Sequence, residues 1–252
     1  ESFPLDSIVR TGEWNYPALL QYAGDVFGLI TESGVERGHS ASHLSSVEVC
    51  ANYYVVPESG ADGSVPGPWR VLILGSLADV VESTLVTDLA APCRVEDTSW
   101  IHPGVSSWIY WAHNHGSSNL DIINSYTDLA ASMGWPYNLV DAEWDEMIGG
   151  HNIKEAVDYA ASKGVKTNIW YNSGTGWTSD GAPGPLWRML DPDIREEEMS
   201  LIESWGVTGM KIDFFDGDRR EMMDYYIDIL EFILGKDFRG AIGVVPIQAL
   251  LS

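Results

Sequence analysis

The chain has 252 residues, with 37 Asp and Glu against 14 Lys and Arg, and its formal net charge is −23. A charge of this size repels phosphate backbones and anionic lipid headgroups, so it argues against nucleic acid and membranes as partners. Apolar residues make up 45% of the sequence and charged residues 20%, which is typical of a globular protein. The eleven Trp are unusual, because surplus Trp either fills a core or lines a cleft in which sugar rings stack.

Residues 1–100 have an all-β pattern. Three segments are short and either apolar or alternating, and clusters of Gly, Ser, Pro and Asp separate them: Phe27–Glu32, Val47–Val56 and Val71–Leu74. A short helix is predicted only near Asp79. Because few strands are available to close two sheets, this region is predicted to be part of a β-sandwich.

From Trp108 the pattern changes to alternating strands and helices. Apolar strands are predicted to begin at Trp108, Tyr137, Lys166 and Gly209, and amphipathic helices are predicted at 119–133, 152–163, 194–205 and 221–234. This alternation predicts parallel strands joined by right-handed crossovers. A complete (β/α)₈ barrel takes about 200–250 residues. Residues 108–252 are too few for a complete barrel, even with a possible fifth strand near Ala241–Ile247. The sequence therefore predicts either an open α/β sheet or, as we prefer, half of a barrel.

Polar and aromatic side chains follow each predicted strand, at the sheet edge where ligands bind in parallel α/β folds. They are Trp111, His113 and His115, then Asp141, Glu143 and Trp144, then Trp170, Tyr171 and Asn172, and finally Lys211, Asp213, Asp216 and Asp218. Strand alternation places Lys211 and Asp213 on one face and Met210, Ile212 and Phe214 on the helix side. An inward Lys–Asp pair among aromatic residues is costly to desolvate, which favours a functional role over a structural ion pair.

Other candidate features are weaker. His113 and His115 could hold a metal from one strand face, but without a third ligand they are more often polar loop residues. For Asp218 we favour capping of the last helix over metal binding. Cys50 and Cys93 could form one disulfide, and they cannot build a zinc site alone.

Sequence blocks along most of the chain carry a resemblance to a known family. PWRVLIL at 68–74, VESTLVTDL at 81–89 and EDTSWIHPG at 96–104 look like the junction between its first two domains. LVDAEW at 139–144 and GMKIDFFDGD at 209–218 look like strand ends of its barrel. In this order and spacing, the blocks resemble glycoside hydrolase family 97.

The resemblance implies a fold and an activity. The family has an N-terminal β-sandwich, a catalytic (β/α)₈ barrel and a small C-terminal β domain, and it cleaves α-glycosidic bonds. Residues 1–100 are thus expected to be the C-terminal part of the sandwich, and 101–252 the first four to five βα units of the barrel. The family contains inverting α-glucosidases and retaining α-galactosidase-like enzymes. Asp213 stands where the retaining branch has its nucleophile, so we expect retaining cleavage of a terminal α-galactoside or α-glucoside.

Roles for the neighbouring side chains follow from their chemistry. Lys211 would keep the Asp213 carboxylate ionised and could donate to a sugar hydroxyl. Asp141 could accept two hydroxyls, and an indole could offer its face to a sugar ring. The expected substrate-binding residues are Lys211, Asp141, Trp144, Trp170 and Asn172.

The resemblance also implies a metal and a location. Glu32 in the block LITES matches a family position that helps hold calcium near the active site. Calcium takes six to eight oxygen ligands, and the family's other carboxylate ligands would fall outside this chain. A secreted or periplasmic enzyme acting on an oligosaccharide is expected.

The end of the chain departs from the family pattern. After Arg239, the segment GAIGVVPIQALLS no longer resembles the family, whose acid/base Glu lies on a later strand. We therefore expect a fragment or a natural truncation that carries the nucleophile half of the site and is inactive alone. Glu143 is a candidate acid, but its neighbour Asp141 matches the family better, and Glu143 is not assigned that role.

Two other functions stay open from the sequence. DFFDGD after an apolar strand resembles the Asp-rich strand end of magnesium-dependent phosphotransferases, on an open doubly wound sheet. Against this, residues 1–100 would have no explanation, and the chain has no glycine-rich phosphate loop. A sugar-binding remnant without catalysis is the third hypothesis. The identity of the sugar and the oligomeric state are not predicted.

Overall fold

The structure is a computed structural model that describes residues 3–4, 12–14, 16–22, 24–39, 42–46, 54–57, 67–93, 95–174 and 182–235. The described residues form two compact units. The first contains the residues up to 93 together with 216–228, and the second contains 95–215 and 229–235. None of the described helices is long and apolar enough to span a membrane.

The first unit is built from two small sheets and two short helices. Its elements are β1 (Phe3–Pro4), β2 (Gly12–Trp14), β3 (Ala18–Gln21), β4 (Phe27–Ser33), β5 (Ser42–Ser46), β6 (Tyr54–Pro57), β7 (Trp69–Gly75), α1 (Leu77–Glu82) and α2 (Leu85–Asp88). One sheet has the order β1-β3-β4-β7 and the other the order β2-β5-β6. All pairings are antiparallel except that of β1 with β3.

The apolar core of the first unit lies under β7 and α1. Val71, Ile73 and Val80 are buried together, and apolar residues of β3, β4 and α2 pack against them. α1 begins with a capping box, in which the Ser76 hydroxyl accepts from the Asp79 N–H and the Asp79 carboxylate accepts from the Ser76 N–H. The helix therefore starts where the strand ends and covers the buried face of β7.

The all-β prediction for this region is confirmed in the described residues. The segments at Phe27–Glu32 and Val71–Leu74 form β4 and β7, and the helix near Asp79 forms as two short pieces. The pattern missed β5, because its sequence SHLSS is too polar to signal a strand. Most of the predicted strand Val47–Val56, and Cys50 with its possible disulfide, lie outside the described residues.

The second unit alternates strands and helices. Its elements are β8 (Ser106–Trp108), α3 (Leu120–Met133), β9 (Tyr137–Val140), α4 (Ile153–Ser162), β10 (Lys166–Asn172), α5 (Pro192–Trp205), β11 (Gly209–Asp213) and the second half of α6 (Arg220–Gly235). Single 3₁₀ turns at Gly116–Ser118 and Ile148–Gly150 lie in the loops after β8 and β9. The predicted starts of three strands, at Tyr137, Lys166 and Gly209, are confirmed.

The strand order distinguishes between the two α/β architectures. The four strands are parallel and lie in chain order, β8-β9-β10-β11. A doubly wound sheet reverses its strand order at a switch point, whereas a (β/α) barrel adds each strand beside the previous one. The described sheet therefore has the order of part of a barrel, and it does not support the open doubly wound alternative.

Helix boundaries in this unit follow local signals. The Asn119 side chain accepts from the N–H groups of Asp121 and Ile122, and α3 ends at Gly134 with a left-handed φ of 68°. Asp191 caps α5, whose first residue is Pro192. Met210 and Ile212 of β11 are buried on the helix-facing side of the sheet, as the alternation predicted.

Two differences from the sequence prediction concern the loops. β8 ends at Trp108, and residues 109–115 are turns, so the prediction that His113 and His115 share a strand face is wrong. The apolar run WIYWA predicted a strand beginning at Trp108, but β8 begins at Ser106 and only the first residue of the run, Trp108, belongs to it. The possible fifth strand near Ala241–Ile247 lies outside the described residues.

Candidate active site

Strand register brings the predicted site residues to one face of the sheet. β10 and β11 pair so that Trp170 lies beside Lys211 and Asn172 beside Asp213. β9 pairs Val140 with Ile169, which brings Asp141 level with Trp170. In-register neighbours on parallel strands point to the same side, so Asp141, Trp170 and Lys211 form one layer and Asp213 belongs to the next.

A single lysine joins two carboxylates at the centre of this face. Lys211 Nζ lies 3.2 Å from Asp141 Oδ2 and 3.2 Å from Asp213 Oδ2. The Lys211 and Asp141 side chains are buried, whereas the Asp213 side chain is 15% exposed. Two carboxylates therefore share one ammonium group, and the more accessible carboxylate is Asp213.

Two tryptophans donate to the same carboxylate oxygens. Trp108 Nε1 lies 2.6 Å from Asp141 Oδ2, and Trp170 Nε1 lies 3.2 Å from Asp213 Oδ2. The Lys211 ammonium also lies 4.8 Å from the centre of the Trp108 ring, within the range of a cation–π contact. The indoles thus hold both carboxylates and line the face around the lysine.

The second oxygen of each aspartate is held by the backbone. Asp141 Oδ1 accepts from the Ala142 N–H and Asp213 Oδ1 accepts from the Phe214 N–H, each at 2.9 Å. Phe214 has a φ of 64°, and its ring contacts Trp170 edge-on at 5.7 Å. The prediction that Phe214 faces the helices is therefore wrong, because the chain turns sharply after Asp213. Both carboxylates are fixed in orientation at both oxygens.

The other predicted binding residues are buried and support the loops. Asn172 Oδ1 accepts from the Gly174 N–H at 3.0 Å, and its amide donates to the Pro183 carbonyl at 3.2 Å. Trp144 donates to the Trp170 carbonyl at 2.7 Å and packs edge-on against Tyr171. These contacts give Asn172 and Trp144 structural partners, and their contact with a sugar stays a prediction.

A further pair of residues belongs to the loops after β8 and β9. His115 Nδ1 lies 2.5 Å from Glu143 Oε2, and both residues have left-handed backbone angles, with φ of 61° and 73°. Sequence reasoning named both residues without pairing them. They are 28 positions apart, and no local pattern indicates the contact.

The side chains of Tyr110, Tyr171 and Asp145, all in this unit, have a raised pKa. Burial raises the pKa of Tyr110, and the Glu143 and Asp141 carboxylates raise it further. Burial also raises the pKa of Tyr171 well above its usual value, with a smaller contribution from Glu198, to which its hydroxyl donates at 2.8 Å. Desolvation raises the pKa of Asp145.

Glu32, the predicted calcium ligand, belongs to the first unit. It lies opposite Arg70 on the paired strands β4 and β7, with Arg70 Nε 3.0 Å from Glu32 Oε1, and the Ser42 hydroxyl donates to the same oxygen. The described residues contain no group of three or more His, Cys, Asp or Glu that could hold a metal. One carboxylate beside a guanidinium does not fit a site of six to eight oxygens, so the calcium role stays a prediction.

The remaining candidates have other partners. The His113 ring packs edge-on against Tyr126 at 5.8 Å. Asp216 is exposed, and the Asp218 carboxylate accepts from the Tyr16 N–H at 3.0 Å. α6 begins at Arg220, and the capping role of Asp218 stays a prediction.

The fold and the site together define a class of protein. Parallel strands in barrel order carry, at their C-terminal ends, a fixed and partly exposed carboxylate beside a lysine and two indoles. A positioned carboxylate at the ligand-binding edge of such a sheet is typical of a glycoside hydrolase.

Comparison with known proteins identifies the family. The model of glycoside hydrolase 97 matches residues 100–233, more than half of the chain, and the model of the glycosyl-hydrolase 97 N-terminal region matches residues 2–92. The chain belongs to glycoside hydrolase family 97. The boundary of 100 and 101 between the two predicted domains stays a prediction.

Curated relatives include two bacterial enzymes. A probable retaining α-galactosidase of Streptomyces bingchenggensis is 34% identical over 236 residues, which are 87% of this chain and 35% of that protein. A retaining α-galactosidase of Bacteroides thetaiotaomicron is 28% identical over 172 residues, 62% of this chain and 24% of that protein. The chain thus spans about a third or less of the length of these relatives.

Solved structures agree in fold. A β-arabinopyranosidase superimposes with a TM-score of 0.74 at 33% identity, over 91% of this chain and 38% of that one. A single-residue variant of a glycoside hydrolase family 97 enzyme from a Pseudoalteromonas species superimposes with a TM-score of 0.61 at 18% identity, over 87% of this chain and 38% of that one.

Proposed function

We propose that this chain carries the nucleophile side of the active site of a retaining α-glycosidase, with an α-galactoside as substrate and Asp213 as nucleophile. Two curated relatives are named retaining α-galactosidases, which supports both the substrate class and the stereochemistry. No observation favours phosphate transfer, since the strand order is not that of a doubly wound sheet.

The observation that carries the proposal is the setting of Asp213. Its carboxylate lies at the end of β11, is more exposed than that of Asp141, and is held by Lys211, Trp170 and the Phe214 N–H. A nucleophile held in one orientation reacts with less entropic cost than a freely rotating one. Asp213 combines this restraint with access to a ligand.

In the proposed reaction, an Asp213 oxygen attacks the anomeric carbon and forms a glycosyl ester. The bond from that carbon to the leaving oxygen breaks, and the leaving oxygen takes a proton from a carboxylic acid about 5–5.5 Å from the nucleophile. Water then attacks the same carbon, gives its proton to that acid's conjugate base, and releases Asp213. Two inversions give net retention. The acid/base role is assigned to no residue of this chain.

Lys211 and Asp141 are proposed to bind sugar hydroxyls. Lysine has three N–H donors, of which Asp141 and Asp213 take two, so the third can donate to a hydroxyl. Asp141 Oδ1 accepts from the Ala142 N–H and has a further lone pair for a hydroxyl. Because two carboxylates face one ammonium, the site favours neutral sugars over uronic acids.

The test is a substrate panel with the full-length protein. 4-Nitrophenyl α-D-galactoside should be hydrolysed faster than the α-D-glucoside, and 4-nitrophenyl phosphate should not be hydrolysed. Proton NMR should show α-galactose as the first product, before mutarotation. β-Galactose appearing first would mean inversion and would overturn the proposed mechanism. Hydrolysis of the phosphate alone would overturn the substrate class.

A further inference from the structure

The His115–Glu143 pair is not used by the proposed reaction, although it lies in the loops that follow β8 and β9. His115 Nδ1 and Glu143 Oε2 are 2.5 Å apart. The Glu143 side chain is 21% exposed and that of His115 is 61% exposed. A carboxylate and an imidazole from separate loops thus meet at the edge of the sheet where ligands bind in this type of fold.

The backbone of both residues is held in an unfavourable conformation. Non-glycine residues seldom adopt positive φ, and such residues persist where surrounding contacts impose them, often at functional sites. For Glu143 one such contact is a 2.7 Å hydrogen bond from its N–H to the Gly184 carbonyl. The loop after β10 thereby fixes the backbone of Glu143, and His115 fixes its carboxylate.

Glu143 and its neighbouring groups lie in the loops that follow β8 and β9, and the β9 loop also carries Asp141. The Tyr110 ring lies edge-on to the His115 ring, with 6.5 Å between centroids. Asp141 and Glu143 both follow β9, two positions apart, and after burial their carboxylates are the causes that raise the pKa of Tyr110. Glu143 therefore lies in the same loop as Asp141, and its partner His115 contacts Tyr110.

A second His–Glu pair in this unit provides a contrast. His151 Nδ1 lies 3.0 Å from Glu155 Oε2, but Glu155 is the third residue of α4 and accepts from the Asn152 N–H in a capping box. That pair has a structural reason on its own helix. Glu143 follows a strand and lies in a turn, where its carboxylate caps none of the described helices.

We infer that Glu143 is a substrate-binding residue that accepts a hydrogen bond from one hydroxyl of the glycoside, and that His115 is the positioning residue that orients its carboxylate. This inference rests on the proposed function. A carboxylate offers about four lone-pair sites, so the contact with His115 leaves room for a hydroxyl. Partial exposure makes the group accessible, and two fixed anchors hold it in place before the sugar binds.

The test compares Glu143→Gln and His115→Ala with Glu155→Gln and His151→Ala in the full-length protein. The substrates are 4-nitrophenyl α-D-galactoside and its 2-, 3-, 4- and 6-deoxy analogues. Glu143→Gln should lower kcat/KM on the parent about 10- to 100-fold, because a hydrogen bond to a charged group is weakened. This loss should disappear on one deoxy analogue. His115→Ala should reproduce the pattern more weakly, and the α4 variants should not.

Other results overturn the inference in distinguishable ways. An equal loss on every analogue, or a lower unfolding temperature with unchanged kcat/KM, would mean that the pair only connects the two loops. If Glu143→Gln does not fold, kcat/KM on the parent galactoside and the deoxy analogues is compared for His115→Ala and His115→Gln instead. Wild-type protein that hydrolyses no α-galactoside would overturn the proposed function, and this inference with it. Wild-type turnover with unchanged Glu143→Gln kinetics would overturn the inference alone.

Discussion

Each of the two units has a cluster of ion-paired side chains, and the clusters differ in charge balance. In the first unit, one carboxylate, Glu32, faces one guanidinium, Arg70, across β4 and β7, and Ser42 of β5 contacts both. In the second unit, one lysine, Lys211, forms ion pairs with both Asp141 and Asp213. The first cluster is balanced, and the second has a surplus carboxylate at a strand end.

From this difference we expect a structural role for the first cluster and a functional role for the second. The balanced pair has a hydroxyl partner and links strands of both small sheets. A surplus negative charge costs stability, and proteins retain such groups mainly where chemistry requires them. The charge balance of the two clusters, and not the presence of an ion pair in each, is the basis of this expectation.

Asp213→Asn tests the largest expected effect. An amide cannot form the glycosyl ester, so kcat on 4-nitrophenyl α-D-galactoside should fall by more than about 10⁴-fold. Because the substitution removes the surplus charge, the unfolding temperature should not decrease. Azide or formate should restore cleavage by taking the place of the carboxylate. Unimpaired turnover in this variant would contradict the assignment.

Lys211→Met tests the charge balance of the second cluster. Loss of the ammonium leaves two neighbouring carboxylates without their cation, which should destabilise the protein by about 3–5 kcal/mol. Adding Asp141→Asn should recover part of this loss, because it removes one of the two charges. Urea unfolding of the single and double variants measures both effects. If Lys211→Met is as stable as the wild type, the two ion pairs of Lys211 contribute nothing to the free energy of unfolding.

Glu32→Gln tests the balanced cluster. The Arg70 guanidinium would lose its charged partner, so the free energy of unfolding should decrease by about 1–3 kcal/mol. This decrease in the free energy of unfolding should be the same with and without EDTA, because the charged partner of Glu32 is Arg70. If EDTA lowers the unfolding temperature of wild type but not that of Glu32→Gln, Glu32 binds a metal and the comparison between the clusters fails.

Tyr171→Phe tests a buried hydroxyl on the helix side of the sheet. Burial raises the pKa of Tyr171 in the folded state, so its contribution is complete below the unfolded pKa of about 10 and is lost as the pH rises above it. Above that pH, this residue should lower wild-type stability by up to about 1.4 kcal/mol per pH unit relative to the Phe variant. Urea unfolding from pH 8 to 11 measures the difference. Parallel curves would contradict the assigned burial effect.

Much of the second unit could be predicted from sequence because its signals are local. Strand starts at Tyr137, Lys166 and Gly209 follow from apolar runs, and the left-handed glycine at position 134 marks the end of α3. The two-residue spacing of Lys211 and Asp213 is enough to place both on one face. Each of these features depends only on residues that are close to one another in the sequence.

The contacts that complete the site could not be predicted in this way. Trp108 and Asp141 are 33 positions apart, and Tyr171 and Glu198 are 27 apart, so only tertiary packing selects them as partners. The sharp turn at Phe214 and the early end of β8 also run against the local β preference of aromatic residues. Sequence therefore predicted which residues share the site better than what each one contacts.

The most direct test of the central claim is to identify the residue that becomes glycosylated. 5-Fluoro-α-D-galactopyranosyl fluoride should react with the full-length protein, because its ring fluorine slows hydrolysis of the glycosyl ester and lets the intermediate accumulate. Mass spectrometry of the digested protein should then find one fluorogalactosyl group, on the peptide and side chain of Asp213. A label on another carboxylate, or turnover of this reagent with no label at all, would contradict the account.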